Sequence, residues 1–488
     1  EGQRREMHAV LAAHFGGLGA DDPLHESETM GHLIGADDAA RAAALYGGEL
    51  TDGEFTGATA ALAEHVLHAG EAGAAWVAGL TGQALAPAVL GRLGERFVFH
   101  LGDALKWTAP LAPRRKIAEA ALGVFEGLVA ADPDNAGWQR DLTVSHDRIG
   151  ELLTAQGNLH GAGTAFRTSL SIRERLAAAD PDNTDWQNAL AVSHERIGDL
   201  LTAQGDLAGA GTAFRASLAI RERLAAADPD NTSCHNVAVS YSRIGDLMTA
   251  QGDLAGAGAA FRASLAIVEA LVAVNPGNTE WQRGLSVSHE KIGDFLMEQD
   301  DPAGAGTAFQ ASLAIIKRLA AADPGNTGWQ RHLSVSHNKI GDLLKAQGDL
   351  AGAGKAFRAS LAIRERLVAA DPGNVQWQRD LSASHGRIGG LLMAHGDLAG
   401  ADTAFRESLA IDERLVAADP NNAGWQRDLM VSFANLAQLS ELADPRSAMV
   451  WWRKAFEQLD GMRRRGVMNP ADEAVLNFLR GKVVSTPL

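Results

Sequence analysis

A glycine-rich stretch at 348–360, "GDLAGAGKAFRAS", has the composition of a phosphate-binding loop that opens into a helix. In the P-loop motif GxxxxGK[ST], backbone N–H groups cradle the phosphates, while a lysine and a hydroxyl side chain contact the nucleotide and its Mg²⁺. Lys355 fits this pattern, but Asp349 stands at the first glycine position and Ala356 at the hydroxyl position. We therefore predict a turn and a helix start here, and a chain without a cofactor. In related stretches the position of Lys355 is taken by Thr164, Thr212, Ala259, Thr307 and Thr403.

Histidines also recur at one position of these stretches, where a row of imidazoles could sense pH or bind a metal ion. The same position holds Tyr241 and Phe433, and no Asp or Glu stands at ligand spacing. We predict that the histidines pack against a neighbouring helix, to which a ring nitrogen bonds, and that the chain has no catalytic or metal site. The series is His146, His194, His289, His337 and His385.

The stretches are copies of one repeat, marked by a tryptophan every 48 residues. The interval from Trp186 to Trp281 spans two copies and is one residue short, and Cys234 takes the place of the missing tryptophan. We expect repeat units to start at 138, 186, 234, 281, 329 and 377, after a degenerate entry unit at 90–137 and before a divergent last unit at 425–468. Divergent ends suit a stack of repeats, because a terminal unit must present one face to water.

Each unit has the pattern of two helices. Asn183 is a good N-cap residue, and apolar residues with helical spacing follow from Trp186. Gly205 breaks this first helix, and Asp228-Pro229 ends the second, because proline lacks an N–H and disfavours helix before it. A single hairpin cannot bury its apolar face, but a stack of hairpins can.

This pattern resembles the tetratricopeptide repeat, in a long 48-residue bacterial variant. Gly198, Gly205, Ala210 and Phe214 fall on that family's motif positions, whereas His194 occupies its tryptophan or leucine site. The resemblance covers roughly 90–468. It implies an all-α, right-handed solenoid of stacked antiparallel helix pairs, with the first helix of each pair on the concave side, and it implies binding of a peptide or protein partner.

By that register, two acidic rows face the groove. The first row is Glu151, Asp199, Asp246, Asp294 and Asp342, and the second row is Asp147, Glu195, Ser242, Glu290 and Asn338. A basic row follows the second: Arg148, Arg196, Arg243, Lys291 and Lys339. Each base precedes a first-row acid by three residues, so intrahelical ion pairs are one interpretation. A groove for a basic or polar segment of a partner is the other. The acids end at Gly386 and Gly390.

Composition limits the classes of partner. The net charge of −16 argues against a nucleic-acid or anionic-membrane partner, which would need a basic face. One cysteine excludes a disulfide framework and fits a reducing, cytoplasmic location. No apolar run approaches about 18 residues, so we expect no transmembrane helix.

We expect a non-catalytic scaffold for protein–protein interaction. Because the chain opens at Glu1, we expect a fragment or processed product. One alternative is therefore the sensor or regulatory half of a larger bacterial signalling or defence protein with an NTPase, protease or TIR-like effector. A second is an unrecognised enzyme in 1–89, a region expected to be helical and to be a cap or the remnant of another domain. A capping helix and tail are expected at 469–488. Homo-oligomers could form through Trp451 and Trp452 or through 1–89.

Overall fold

The computed structural model describes residues 2–15, 25–227, 231–443 and 445–484. Across those ranges the backbone forms helices and turns and no strand. The chain divides into two compact units, Glu1–Ala179 and Asp180–Leu488, which are described separately. The boundaries at 89/90 and 468/469 stay predictions.

The first unit contains nine α-helices within its described residues. They are α1 (Gly2–Phe15), α2 (His25–Ala36), α3 (Ala39–Gly47), α4 (Asp52–Gly79), α5 (Pro87–Arg96), α6 (Gly102–Ala104), α7 (Leu111–Ala131), α8 (Ala136–Ala155) and α9 (Leu159–Ala179). A 3₁₀ turn at Leu80–Gly82 follows α4, and a π-helical turn at Phe97–Leu101 follows α5. Helix α4 is bent at Gly70, whose φ of 57° lies in the left-handed region. It packs against α2 and α7, and α8 and α9 form an antiparallel hairpin.

The second unit contains thirteen α-helices within its described residues. They are α10 (Thr184–Ala203), α11 (Leu207–Ala227), α12 (Asn231–Ala250), α13 (Leu254–Val274), α14 (Thr279–Glu298), α15 (Pro302–Ala322), α16 (Thr327–Ala346), α17 (Leu350–Ala370), α18 (Val375–Ala394), α19 (Leu398–Ala418), α20 (Ala423–Ala443), α21 (Pro445–Arg464) and α22 (Glu473–Val484). The even-numbered helices α10 to α20 are called helix A, and the odd-numbered helices α11 to α21 are called helix B. Each helix A pairs with the following helix B, and each helix B packs on the next helix A. The predicted all-α solenoid of antiparallel helix pairs is confirmed.

Side-chain caps define where these helices begin. Asn183 accepts a hydrogen bond from the backbone N–H of Trp186 at the start of α10. Asp349 likewise accepts from the N–H of Gly352 at the start of α17, and Gly348 before it has a φ of 81°. The stretch that resembled a phosphate loop is therefore a left-handed turn followed by an aspartate N-cap.

The one-residue deletion lies between the end of α11 and Ser233, before the tryptophan position of the next helix. Trp186 and Trp281 are the third residues of α10 and α14, whereas the third residue of α12 is Ser233. The helical register therefore puts Ser233, and not Cys234, at the position of the missing tryptophan. Elsewhere the tryptophan joins consecutive pairs: Trp329 of α16 packs against Ile316 of the preceding helix B.

Helix α13, Leu254–Val274, qualifies the expectation about membrane segments. It is long and apolar enough to cross a membrane by length and composition, with a mean hydropathy of 1.7 over its most apolar window. In the fold it is one helix B of the stack, and it contacts α12 and α14. Its buried residues include Phe261 and Val268.

A glycine on helix A meets a phenylalanine on helix B in each pair from α10 to α19. A Cβ built on Gly198 would lie 2.5 Å from Cε1 of Phe214, and one on Gly293 would lie 2.4 Å from Cε1 of Phe309. Real Cβ atoms do not come this close, so only glycine permits this helix separation. The same contact is made at Gly245, Gly341 and Gly389.

Helix A lies on the inner side of the second unit. Consecutive A helices touch each other, α12 with α14, α14 with α16, and α18 with α20. Among the helices described here, no comparable contact joins consecutive B helices. The residues that face away from helix B on the A helices therefore share one inner surface.

Adjacent glycines of α18 provide a test of the packing contact. Gly389→Ala should destabilise the protein by about 1–3 kcal/mol, because its Cβ would lie 2.6 Å from the Phe405 ring. Gly390→Ala should stabilise it by up to about 1 kcal/mol, because that Cβ meets only the Lys345 ammonium at 3.7 Å and alanine favours helix. Denaturant unfolding followed by circular dichroism measures both changes. Equal effects of the two substitutions would contradict the steric account.

Candidate functional site

First-row acids form a ladder of ion pairs with the basic row of the next helix A. The two partners in each pair stand 44 or 45 residues apart in the chain. The pairs in the second unit are Arg243 Nη1–Asp199 Oδ1 at 2.5 Å, Lys291 Nζ–Asp246 Oδ1 at 2.7 Å, Lys339 Nζ–Asp294 Oδ1 at 2.7 Å and Arg387 Nε–Asp342 Oδ2 at 3.4 Å. These bases therefore bond to the previous repeat rather than along their own helix.

The first unit contains both kinds of pair. Arg148 Nη2 lies 2.6 Å from Asp103 Oδ1, one repeat earlier, and Arg148 Nη1 lies 3.4 Å from Glu151 Oε2 on its own helix. The intrahelical interpretation thus describes Arg148–Glu151. In the ladder, first-row side chains from Asp199 to Asp342 are 41–53% exposed, so their carboxylates also reach solvent.

Second-row acids are buried between helices instead of lining a surface. Asp147 is 4% exposed and pairs with Arg173 of α9 at 2.9 Å, and Glu195 is 7% exposed and pairs with Arg221 of α11 at 3.0 Å. Glu195 also accepts a hydrogen bond from Ser240 of the next helix A. An arginine on the second helix of the pair thus neutralises each of these two carboxylates.

The remaining second-row residues are also wholly or partly buried. Glu290 accepts from Ser312 of α15 at 3.0 Å and from Ser336 of α16 at 2.6 Å, and burial raises its pKa although both hydrogen bonds oppose the shift. Asn338 is buried, and Ser242 is half-buried beside a cavity of about 350 Å³. The structure therefore separates the two rows: the first reaches solvent, and the second joins helix pairs.

Serines that the sequence analysis did not single out complete this buried polar seam. Ser217, Ser312 and Ser408 on helix B stand between two successive A helices; Ser408 lies 2.9 Å from Ser382 and 3.2 Å from Ser432. A serine at the same place in each helix B from α11 to α19 was the available sequence signal.

The recurring histidine position on helix A lies against helix B. His385 Nδ1 lies 2.9 Å from Glu407 Oε2 of α19, and Tyr241 donates to Glu222 Oε1 at 2.8 Å. Burial lowers the pKa of His146, His289 and His337, which keeps these rings neutral at pH 7. The predicted packing role, with a ring nitrogen bonded to a helix, is confirmed at His385.

Where the acidic rows end, the inner surface opens into a cavity of about 610 Å³. Gly386 and Gly390 of α18 line it, at the positions where earlier repeats carry second-row and first-row side chains. A Cβ on either glycine would meet no atom closer than 3.7 Å. The two glycines therefore leave space that a side chain would fill.

Asp412 of α19 lies at this cavity and is 2% exposed. Its Oδ2 accepts a hydrogen bond from Ser432 at 2.6 Å, whereas its Oδ1 accepts none from the part of the chain that the structure describes. Burial raises the pKa of Asp412 to about 6, against hydrogen bonds from Ser432 and Ser382, and Asp428 adds to the rise. A buried carboxylate with one unmet oxygen is costly to keep ionised.

Other acids of the cavity already have cations. Arg379 donates to both carboxylate oxygens of Asp428, and Arg331 lies 2.5 Å from Asp380. Asp342 is paired with Arg387. Asp412 belongs to none of the ion pairs found among the described residues. Sequence reasoning missed Asp412, although an acid where Arg173, Arg221 and Arg364 stand in sister repeats was a visible signal.

Solved structures of other proteins resemble this chain in fold at low sequence identity. No family model matches the chain, and no curated protein matches it. Among solved structures, it is similar to the Rap protein complexed with competence and sporulation factor, at 12% identity and a TM-score of 0.46, over 94% of this chain and 99% of that one. These are likenesses of fold only.

Two further similar structures are more distant in overall match. One is a signal transduction ATPase with numerous domains and a tetratricopeptide repeat sensor from Pyrococcus horikoshii, at 12% identity and a TM-score of 0.39, over 86% of this chain and 54% of that one. The other is the human IFIT1 dimer with PPP-AAAA, at 14% identity and a TM-score of 0.39, over 93% and 90%. The exclusion of nucleic acid as a partner stays a prediction from net charge.

Replacing Asp412 tests its buried charge. The unfolded carboxyl loses its proton near pH 4 and the folded one near pH 6, so folding stability falls as pH rises through this window. Asp412→Asn should therefore stabilise the protein at pH 8, by at most about 3 kcal/mol, and less at pH 5. Thermal unfolding at both pH values measures the difference. Asp402→Asn, a more exposed carboxylate on the same helix, is the control; a gain from Asp412→Asn that is the same at both pH values would contradict the account.

Proposed function

We propose that this chain is a non-catalytic scaffold that binds a protein or peptide partner along the inner side of the A helices. The observation that carries the proposal is the first-row ladder: one partly exposed carboxylate per repeat, on the surface where consecutive A helices meet. The buried second row is not part of this binding surface. In place of the ten residues expected from the sequence, the proposed contact residues are Asp199, Asp246, Asp294 and Asp342.

The regularly spaced carboxylates of the first row favour a partner with a basic or N–H-rich segment. A carboxylate can accept about four hydrogen bonds, and each first-row carboxylate is ion-paired with one base of the next repeat. Its remaining acceptor sites face solvent and can receive donors from a bound segment. The net charge of −16 also favours the approach of a basic partner over an acidic one.

The alternatives from the sequence stay predictions. A regulatory role in a larger signalling or defence protein predicts a P-loop or a Cys–His dyad in an attached effector domain. An enzyme in 1–89 predicts that a measurable activity disappears when those residues are deleted. The cytoplasmic location and homo-oligomerisation also stay predictions from the sequence.

Charge reversal tests the proposed groove. A triple variant with Asp199→Lys, Asp246→Lys and Asp294→Lys should lose partners that the wild-type chain captures from a lysate of its source cells, because lysines there repel a basic segment. Quantitative mass spectrometry of the captured proteins measures the loss. At least a tenfold decrease is expected for partners that bind through the row.

A matched control separates groove binding from total charge. Glu269→Lys, Glu365→Lys and Glu413→Lys change the charge by the same amount on exposed helix-B positions. This control should keep the partners, and circular dichroism should show both triple variants folded. Equal capture by the first-row variant and by the wild type would overturn the proposal.

A further inference from the structure

The unit that starts at 377 inverts a charge pair that other units make internally. In the pairs α8–α9 and α10–α11, the second-row acid of the first helix pairs with an arginine of the second, as Asp147 does with Arg173 and Glu195 with Arg221. At the equivalent positions of α18 and α19 stand Gly386 and Asp412. The acid has moved to helix B, and the helix-A side has no side chain at all.

Space and an unmet acceptor occur together at this place. The cavity of about 610 Å³ lies beside Gly386. Earlier repeats carry a second-row side chain at this position. Asp412 is 2% exposed and its Oδ1 receives no hydrogen bond from the described residues. Arg379, a cation whose charge acts on Asp412, already donates two hydrogen bonds to Asp428. Lys345 and Arg387 also line the cavity, but Arg387 pairs with Asp342, and no ion pair among the described residues joins Lys345 to Asp412. The geometry therefore provides a space and an anion that has no bonded cation.

Ligand classes differ in how they fit these groups. An anion would be repelled by Asp412 and by the acids paired around it. A divalent metal ion needs several carboxylate oxygens, and Asp380 and Asp428 are already bonded to arginines. A guanidinium has planar N–H donors that match a carboxylate, and it is less strongly hydrated than an ammonium group, which favours its burial. The cavity volume lies within the range of ligand pockets.

We propose that this cavity binds the guanidinium of an arginine side chain in the peptide partner, with Asp412 as its counter-ion and Gly386 and Gly390 as the residues that leave room for it. The ligand's arginine then completes the pair that Arg173 and Arg221 complete within the chain. Gln376 and Asn435, which also line the cavity, offer amide oxygens to the remaining N–H groups. This inference rests on the proposed function, because it assigns one side chain of the segment bound along the first row.

The experiment uses the full chain and two isosteric probes, N-acetyl-arginine amide and N-acetyl-citrulline amide, in ligand-observed NMR titrations at matched ionic strength. Citrulline keeps the shape of arginine but carries no charge. The arginine probe should bind saturably, and the citrulline probe should bind at least about tenfold more weakly, because it cannot neutralise Asp412. No saturable binding of the arginine probe, or equal binding of the two probes, would overturn the inference.

Two variants with a control identify the site. Asp412→Asn should weaken binding of the arginine probe at least tenfold. Gly386→Gln should do the same by filling the cavity without adding charge, and it keeps the test valid if Asp412→Asn changes the fold. Asp402→Asn, on the same helix as Asp412 and outside the cavity lining, should bind like the wild type. Wild-type affinity in both cavity variants would overturn the assignment.

A third probe distinguishes a peptide from a free small molecule. Agmatine has the guanidinium but no peptide groups, and tighter binding of agmatine than of N-acetyl-arginine amide would overturn the peptide assignment. Failure of the two proposals is also distinguishable. If first-row reversal abolishes partner capture while the arginine probe fails to bind, only this inference is lost. If the probe binds at Asp412 while first-row reversal leaves capture unchanged, only the groove proposal is lost.

Discussion

The close approach of helix A to helix B at a glycine–phenylalanine contact determines how the rest of each repeat is arranged. At Gly293 and Phe309 there is no space for even one methyl group. This separation brings the small side chains of the seam within hydrogen-bonding distance, as between Ser286 and Ser312 at 2.7 Å. Burial of hydroxyl groups is tolerable only where they bond to each other or to a carboxylate. The polar seam is therefore a consequence of the tight helix pair.

The same arrangement explains why two acidic positions four residues apart have different roles. Glu195 and Asp199 lie one turn apart on α10, but Glu195 points between the helices and bonds to the seam, whereas Asp199 lies at the edge and bonds to Arg243 of the next repeat. Charges in the seam need an internal partner, since desolvation is costly there. Carboxylates at the solvent-exposed edge, such as Asp199, need no internal partner, so they can bind a ligand. Where a repeat changes this arrangement, as at Gly386 and Asp412, the seam becomes open to a ligand.

Much of the fold could be predicted from the sequence, because its signals are local. The Asn183 cap, the break at Gly205 and the small and large residues at Gly198 and Phe214 are each readable within one unit. Pairing between repeats was not readable. Lys291 is three residues from Asp294 in sequence, but its ammonium bonds to Asp246, and only the packing of consecutive A helices decides between the two.

The candidate site was less predictable for the same reason. Burial of Glu195 depends on Arg221 and on serines from two other helices. The cavity depends on a glycine in α18 and an aspartate 26 residues later in α19, which become neighbours only after the hairpin forms. The loss of acidic residues at Gly386 and Gly390 was visible in the sequence, but its meaning required the position of Asp412.

The central claim is that the inner side of the A helices carries the binding surface. Photo-crosslinking tests it most directly, with p-benzoylphenylalanine incorporated in separate proteins at the exposed positions Val239 and Ala383 on helix A and at Glu269 and Glu413 on helix B. After irradiation in a lysate of the source cells, the account predicts a discrete crosslinked partner from the two helix-A positions and none from the helix-B positions. Crosslinks from the helix-B positions alone, or equally from all four, would contradict it.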